Sequence, residues 1–340
     1  MKCYLHIGTV KTGSSTLQSF LSNNRSILAE ANFAFTRSLG ERNNSKLPLC
    51  AYKDGHWDDV TKRRRIYTQK AFDCFKKETI EELSSELLRI DCDNVIFSSE
   101  HFHSRLVYEE EIYNLREILE ALGMSKFVIV VYLREQGALA NSYFSTACRQ
   151  GYTDAQPPFP GENQHWDHFC NHKRSLDRWS MVFGKNQIIP RIYEKNELLN
   201  GTIIDDFLSI IGIEPHLDFV PVHDMNQGIS HLGLEILRRI NKKIPRHLPN
   251  GRPNTARKGI LKFVEKHFGG GKYLMSQDLF SAYRAKYATC NEMVRKEYFP
   301  ERNTLFNIAR EVSSTVVDIS EDDLQLISDF IVDVWGRDSG

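Results

Sequence analysis

Seven apolar residues in unbroken succession, 127–133 (FVIVVYL), constrain the fold of this chain more than any other stretch. Most are β-branched or aromatic, and the run is bounded by Ser125 and Arg134. A strand with one wet face alternates apolar and polar residues. A continuous run of this kind predicts a strand covered on both faces, as in a parallel sheet with helices on either side. Parallel neighbours need long crossovers, so helices should separate the strands.

The rest of the chain supplies them. Short apolar runs recur at 3–7, 33–36, 94–97 and 187–193. Between them lie helical periodicities: 78–90 with Ile80, Leu83, Leu87 and Leu88 on one side, 110–122 closed by Gly123, and 136–148. Residues 166–183 read as one helix with Trp166, Phe169, Cys170, Leu176, Trp179 and Phe183 on its apolar side. A further helix runs through Ile204, Phe207, Leu208 and Ile211, and an amphipathic helix over 322–335 closes the chain. Pro190 inside the fifth run marks an edge strand. Residues 152–164 (with PPFPGEN) are irregular, as loops bordering a cleft often are. No repeat, low-complexity tract or linker interrupts the pattern. The expected architecture is α/β, a parallel sheet flanked by helices with additional C-terminal helices, and of P-loop type given the glycine loop after its first strand. It forms a single domain over 1–340, with a core at about 1–215 and a helical part at about 225–340.

The first twenty residues give this sheet a function. After the run 3–7 comes a small-residue loop, 8–15, with Lys11 in its middle, and from Thr16 the residues Leu17, Phe20 and Leu21 recur at helical spacing. Strand, glycine loop and helix start present backbone N–H groups and the positive end of a helix dipole to an anion. Gly8 and Gly13 have the spacing of the GxxxxGK[ST] phosphate loop, but Ser14 stands where its lysine belongs. The cation instead precedes the second glycine by two positions.

The order Lys11-Thr12-Gly13-Ser14-Ser15-Thr16 resembles the 5′-phosphosulfate loop of sulfotransferases that use 3′-phosphoadenosine 5′-phosphosulfate (PAPS). A second match lies at the end of 127–133. A nucleotide hydrolase would place a magnesium-binding aspartate there; this chain has Arg134, with Ser142 eight residues later. That spacing is the 3′-phosphate pair of the same family, and guanidinium suits phosphate by its planar, bidentate donors. Segments 178–212, 226–241 (NQGISHLGLEILRRIN) and 290–306 also resemble this family, the last two its bacterial glycan and lipopolysaccharide enzymes. Residues 256–259 (ARKG) match its late Arg-Lys-Gly element, a likeness short enough to arise by chance.

The resemblance implies sulfuryl transfer from PAPS to a hydroxyl on a carbohydrate or glycolipid, with no metal required. Lys11 would meet the leaving oxygen, Thr12, Gly13, Ser14, Ser15 and Thr16 would cradle the phosphosulfate, and Arg134 and Ser142 would hold the 3′-phosphate. Glu100 falls at a strand end, where ligands of such sheets sit. Glycan sulfotransferases use a glutamate as general base and cytosolic ones a histidine, so Glu100, His101 and His103 all remain open. Ser98-Ser99-Glu100 also suits a plain helix cap. Two other classes compete: a P-loop kinase-like phosphotransferase with a degenerate loop, and a nucleotide-binding module without catalysis.

Composition limits the partners. The 340 residues carry 44 basic and 44 acidic side chains, so no bulk charge favours nucleic acid or an anionic membrane. The run 127–133 is far short of the roughly 20 apolar residues of a spanning helix. No signal-peptide pattern precedes the first strand. Seven scattered cysteines without a CxxC pair fit reduced thiols in the cytoplasm. Lys62, Arg63, Arg64 and Arg65 form a basic cluster, either a solvated face or a grip on an acidic acceptor. His165, His168, Cys170 and His172 invite a zinc site, since His168 and His172 share a helical face, but their spacing matches no common structural pattern. The glycines at 269–271 suit a helix C-terminal turn.

Overall fold

The structure, a computed structural model, describes residues 1–214, 218–222, 228–249, 252–270, 273–307 and 320–336. Residues 226–227 of the first late family segment, and Gly271 with Lys272 after the glycine pair, lie outside the described residues. In chain order the elements are β1 (Lys2–His6), α1 (Ser14–Asn23), α2 (Arg25–Glu30), β2 (Phe33–Phe35), α3 (Lys46–Cys50), α4 (Asp59–Arg63), α5 (Gln69–Leu87) and β3 (Asn94–Ser98). Then come α6 (His101–Arg105), α7 (Glu109–Ala121), β4 (Lys126–Leu133), α8 (Gln136–Arg149), α9 (Gln164–Cys170), α10 (His172–Phe183), β5 (Ile188–Ile192) and α11 (Ile203–Ile211). The later helices are α12 (His231–Lys243), α13 (Ile260–Phe268), α14 (Gln277–Tyr298) and α15 (Glu321–Gly336).

The chain forms two compact units. The first holds Met1–Glu135, His168–His223 and Thr289–Phe306, and with them the whole sheet. Its five strands are all parallel, in the order β2-β3-β1-β4-β5. This is the α/β class read from the sequence. In β4 the residues Phe127, Ile129, Val131 and Leu133 join one apolar cluster, and Val130 and Tyr132 the other. Both faces of β4 are therefore covered, which is why its sequence is apolar throughout. One cluster draws Leu115 and Ile118 from α7 and Leu176, Trp179 and Val182 from α10. The other takes Leu17, Phe20 and Leu21 from α1 and Phe207, Leu208 and Ile211 from α11. Each such side chain contributes about 1.5–3 kcal/mol on burial. β5 lies at an edge, as Pro190 predicts.

Two helices differ from expectation. The segment 166–183 is not one helix: α9 ends at Cys170, and Asn171 (φ −85°, ψ 79°) accepts a hydrogen bond from the Arg174 N–H to cap α10. A side-chain cap competes with helical continuation, and here it wins. α5 begins at Gln69 rather than 78, because the Thr68 hydroxyl caps it by accepting from the Ala71 N–H.

The second unit, Gln136–Asp167, Asp224–Ala288 and Asn307–Gly340, is helical. Within it α12 packs on α8 and α13, and α13 on α15, where Phe268 and Phe330 meet. α13 ends at Phe268; Gly269 caps it in an extended conformation and Gly270 follows at φ 87°, so glycines close this helix. Arg257 of the ARKG segment donates to the Ile244 carbonyl at 2.9 Å and to Asn241 Oδ1, bracing this unit. No disulfide joins any cysteine among the described residues. Among the same residues no helix is long and apolar enough to cross a membrane.

Candidate active site

The first unit gathers its polar groups at the carboxyl ends of β3, β1 and β4, three neighbours at the centre of the sheet. From β1 the chain moves to one side for β3 and β2 and to the other for β4 and β5. Ligands of open α/β sheets bind where the order reverses in this way.

After β1, the Ile7 N–H still donates to the Val130 carbonyl at 3.0 Å, and then the backbone turns. Gly8 (φ 49°), Lys11 (φ 64°) and Gly13 (φ 76°) are all left-handed. For lysine that conformation costs about 1–2 kcal/mol, a strain typical of functional loops. Gly13 is required. A Cβ there would stand 2.9 Å from the Tyr193 hydroxyl oxygen and 3.3 Å from Ile203 Cγ2. The loop is braced from within: the Thr9 hydroxyl donates to the Tyr132 carbonyl and the Thr12 hydroxyl to the Thr9 carbonyl, both at 2.7 Å. Thr12 is thus a brace, its hydroxyl turned inward. Ser15 is exposed and Thr16 half-buried. α1 starts at Ser14 with no side-chain cap and no acid in its first turn, so its positive end is not neutralised by its own residues. The Ser14 hydroxyl is buried, without a hydrogen-bond partner among the described residues, and 3.0 Å from where a Gly8 Cβ would sit. A buried polar atom left in this way is open to a partner.

Arg134, at the end of β4, comes to the same loop. Its Nη1 donates to the Lys11 carbonyl at 2.6 Å, and its guanidinium lies 5.6 Å from the centre of the Tyr193 ring. His172 holds the Arg134 backbone, its Nε2 donating to the Arg134 carbonyl at 2.8 Å. Burial pushes the His172 imidazole down to about 4, so it stays neutral and serves as a strut. Ser142 lies half-buried on α8, in the second unit.

Glu100 follows β3 directly and precedes α6. Its Cα lies 3.6 Å from the missing Gly8 side chain. Its Oε2 accepts from Gln18 Nε2 at 3.1 Å and Asn43 Nδ2 at 3.0 Å. Two amide donors aimed at one oxygen hold the carboxylate in one orientation beside the loop. Sequence reasoning missed both amides. A buried glutamine among the apolar positions of α1 was the signal for one; Asn43 gave none. His101 is half-buried, its Nδ1 without a partner among the described residues, and burial lowers its pKa against the pull of Glu100. His103 is fully buried and stacked on His168, ring centres 5.2 Å apart. Burial, followed by the nearby His168 and Arg178, holds its pKa well below the ordinary range. Solvent does not reach it.

His6, the last residue of β1, is also fully buried. Its Nδ1 shares a 2.7 Å hydrogen bond with Ser98 Oγ, its Nε2 has no partner among the described residues, and burial pushes it down to about 3. His168 and His172 each turn a nitrogen to a backbone carbonyl, of His103 and Arg134 respectively, rather than towards each other. The side chain of His165 lies outside the described residues. Among the described residues no group of three or more His, Cys, Asp or Glu side chains is placed to hold a metal ion.

No protein-family model matches the chain. An uncharacterized protein of Archaeoglobus fulgidus is 27% identical over 213 residues, which covers 62% of this chain and 55% of that one. The chain thus spans about half the length of that curated relative. Among solved structures, a sulfotransferase from Alicyclobacillus acidocaldarius aligns with 66% of this chain and 85% of its own, at 14% identity and a TM-score of 0.36. At that identity and score the likeness carries no argument about what this chain binds.

Proposed function

We propose that the chain is a PAPS-dependent sulfotransferase acting on the hydroxyl of a carbohydrate or glycolipid. One observation carries the reading: the Arg134 guanidinium donates to the backbone carbonyl of Lys11, so the second basic residue of the sequence pattern reaches the glycine loop that carries the first. The cradle suits an anionic group, with two left-handed glycines, an uncapped helix start and the buried, unpartnered Ser14 hydroxyl.

In this reading the backbone of Gly13, Ser14, Ser15 and Thr16 holds the 5′-phosphosulfate. Lys11 meets the charge that develops on the bridging oxygen, and Arg134 meets the 3′-phosphate. Ser142 joins it on the strength of the sequence pattern alone. Glu100 takes the proton of the acceptor hydroxyl as its oxygen bonds to sulfur and the bond from sulfur to the 5′-phosphate oxygen breaks. Sulfonate carries less charge than a phosphoryl group, so placement and fixed dipoles should supply most of the rate enhancement.

The test is calorimetry with adenosine 3′,5′-bisphosphate in EDTA, followed by transfer of labelled sulfate from PAPS to fractionated glycans. Lys11→Ala should lower turnover about 10²–10³-fold, the range for loss of one charge-stabilising donor, while keeping part of the bisphosphate affinity. Magnesium-dependent ATP binding with no bisphosphate binding would overturn the reading in favour of phosphoryl transfer.

A further inference from the structure

The basic cluster at the end of α4 is joined by ion pairs to α6, the helix that follows Glu100. α6 connects the two: Glu100 precedes it, Arg105 ends it, and five residues of helix span only about 7.5 Å. Arg105 Nη1 donates to Asp58 Oδ2 at 3.1 Å and to Asp59 Oδ1 at 2.6 Å, tying α6 to the start of α4. The other oxygen of Asp59 takes Arg63 at 2.9 Å. Lys62, Arg63, Arg64 and Arg65 are all exposed. Among the described residues no carboxylate pairs with Lys62, Arg64 or Arg65; Arg64 rests instead 5.6 Å from the centre of the Phe75 ring.

Basic residues in a last helical turn are favoured by the helix dipole, which accounts for Lys62 and Arg63. It does not account for Arg65. That residue is left-handed at φ 60°, its N–H donating to the Lys62 carbonyl at 3.0 Å, in the turn that closes α4. Glycine is the favoured residue there. Arg65 thus adds an exposed cation at a backbone position where glycine would cost less.

We infer that Lys62, Arg63, Arg64 and Arg65 are a docking surface for a polyanionic acceptor, a glycan bearing repeated carboxylate or sulfate groups, whose hydroxyl is thereby brought to Glu100. This names the substrate class of the proposed sulfotransferase and rests on that reading. The chain's charges balance overall, so the attraction is local to the approach to the site and lacks the broad basic surface that nucleic acid favours.

The experiment measures binding of a heparin-derived octasaccharide, with maltooctaose and a single-stranded DNA octamer as comparators and adenosine 3′,5′-bisphosphate in parallel. Wild type should bind the octasaccharide, more weakly as NaCl rises, and should ignore maltooctaose. The variant Lys62→Ala/Arg64→Ala/Arg65→Gly should bind it at least about tenfold more weakly, as loss of three exposed ion contacts implies, with bisphosphate affinity unchanged. Arg65→Gly alone should raise the melting temperature and still weaken the octasaccharide; a merely structural arginine would not separate the two. Arg64→Glu, which leaves the turn intact, should also weaken it. An unchanged octasaccharide Kd in the triple variant, with the bisphosphate still bound, overturns the docking surface and leaves the donor reading standing. Tighter binding of the DNA octamer than of the octasaccharide also overturns it. If wild type fails to bind bisphosphate while the octasaccharide losses hold, the donor reading falls and the anion-docking surface stands.

Discussion

Acid should loosen this protein well before its carboxylates titrate, through histidines sealed in the neutral form. His6 and His172 have no exposed surface, and burial lowers them from the ordinary 6.5 to about 3 and about 4. Between those values and 6.5 the unfolded chain takes up a proton at each site and the folded chain does not. Stability therefore falls as pH drops through 6.5, and it stops falling on this account only below the folded values. Each site contributes about 1.4 kcal/mol per pH unit. From pH 7.5 to 5.5 the loss is about 1.4 kcal/mol per histidine, or about 3 kcal/mol for the pair. That is a large share of the roughly 5–15 kcal/mol that stabilises a folded domain. His103, lowered by the same burial, adds in the same direction. Carboxylates held low, such as Asp58 with its bonds from Thr61, Tyr52 and Arg105, act at lower pH and leave this window alone. Urea unfolding at the two pH values, followed by tryptophan fluorescence with Trp179 buried in the first unit, measures the difference. His6→Gln cannot take the proton, so it should reduce the pH dependence by about 1.4 kcal/mol whatever it does to stability at pH 7.5. Equal pH dependence in wild type and His6→Gln, or none in wild type, would refute the argument.

Gly13→Val should cost bisphosphate binding more than about tenfold, because the left-handed backbone strains a valine by about 1–2 kcal/mol and its Cβ would press on Tyr193; calorimetry checks it. Arg134→Ala should weaken the bisphosphate about 10- to 100-fold, the range for charge-assisted hydrogen bonds, and an unchanged dissociation constant would remove Arg134 from the site. Glu100→Gln keeps an oxygen for Gln18 and Asn43 but cannot take a proton, so turnover at saturating acceptor should fall about 10²–10⁴-fold. Wild-type turnover would exclude it as base.

The elements that could be read from the chain are those whose signal is local. β4 announces itself by seven apolar residues because both its faces are covered, and the loop from Gly8 to Ser14 by its glycines and lysine. Pro190 marks an edge without help from its neighbours. The break at Asn171 was hidden, since Trp166 to Phe183 keeps its apolar periodicity across a side-chain cap that any helix interior might have overridden. The setting of Glu100 was hidden for another reason. Gln18 and Asn43 lie 82 and 57 residues away from it, and no local pattern records which distant amide will face a carboxylate. Tyr193 is a similar case: its packing on Gly13 depends on β5 lying beside β4. The local conformation of Arg65 was equally silent, because arginine carries no sequence mark of a left-handed turn.

The two borders of the sheet have a consequence for assembly. β2 offers three residues only, and just past β5 the Tyr193 N–H reaches inward to the Leu133 carbonyl, so alternation turns the ring nitrogen of Pro190 to the outside, where it has no hydrogen to give. Neither flank can readily accept a foreign strand, which guards crowded copies of this chain against ribbon-like stacking. Among the described residues, that leaves helices and loops as the surfaces on which copies could meet.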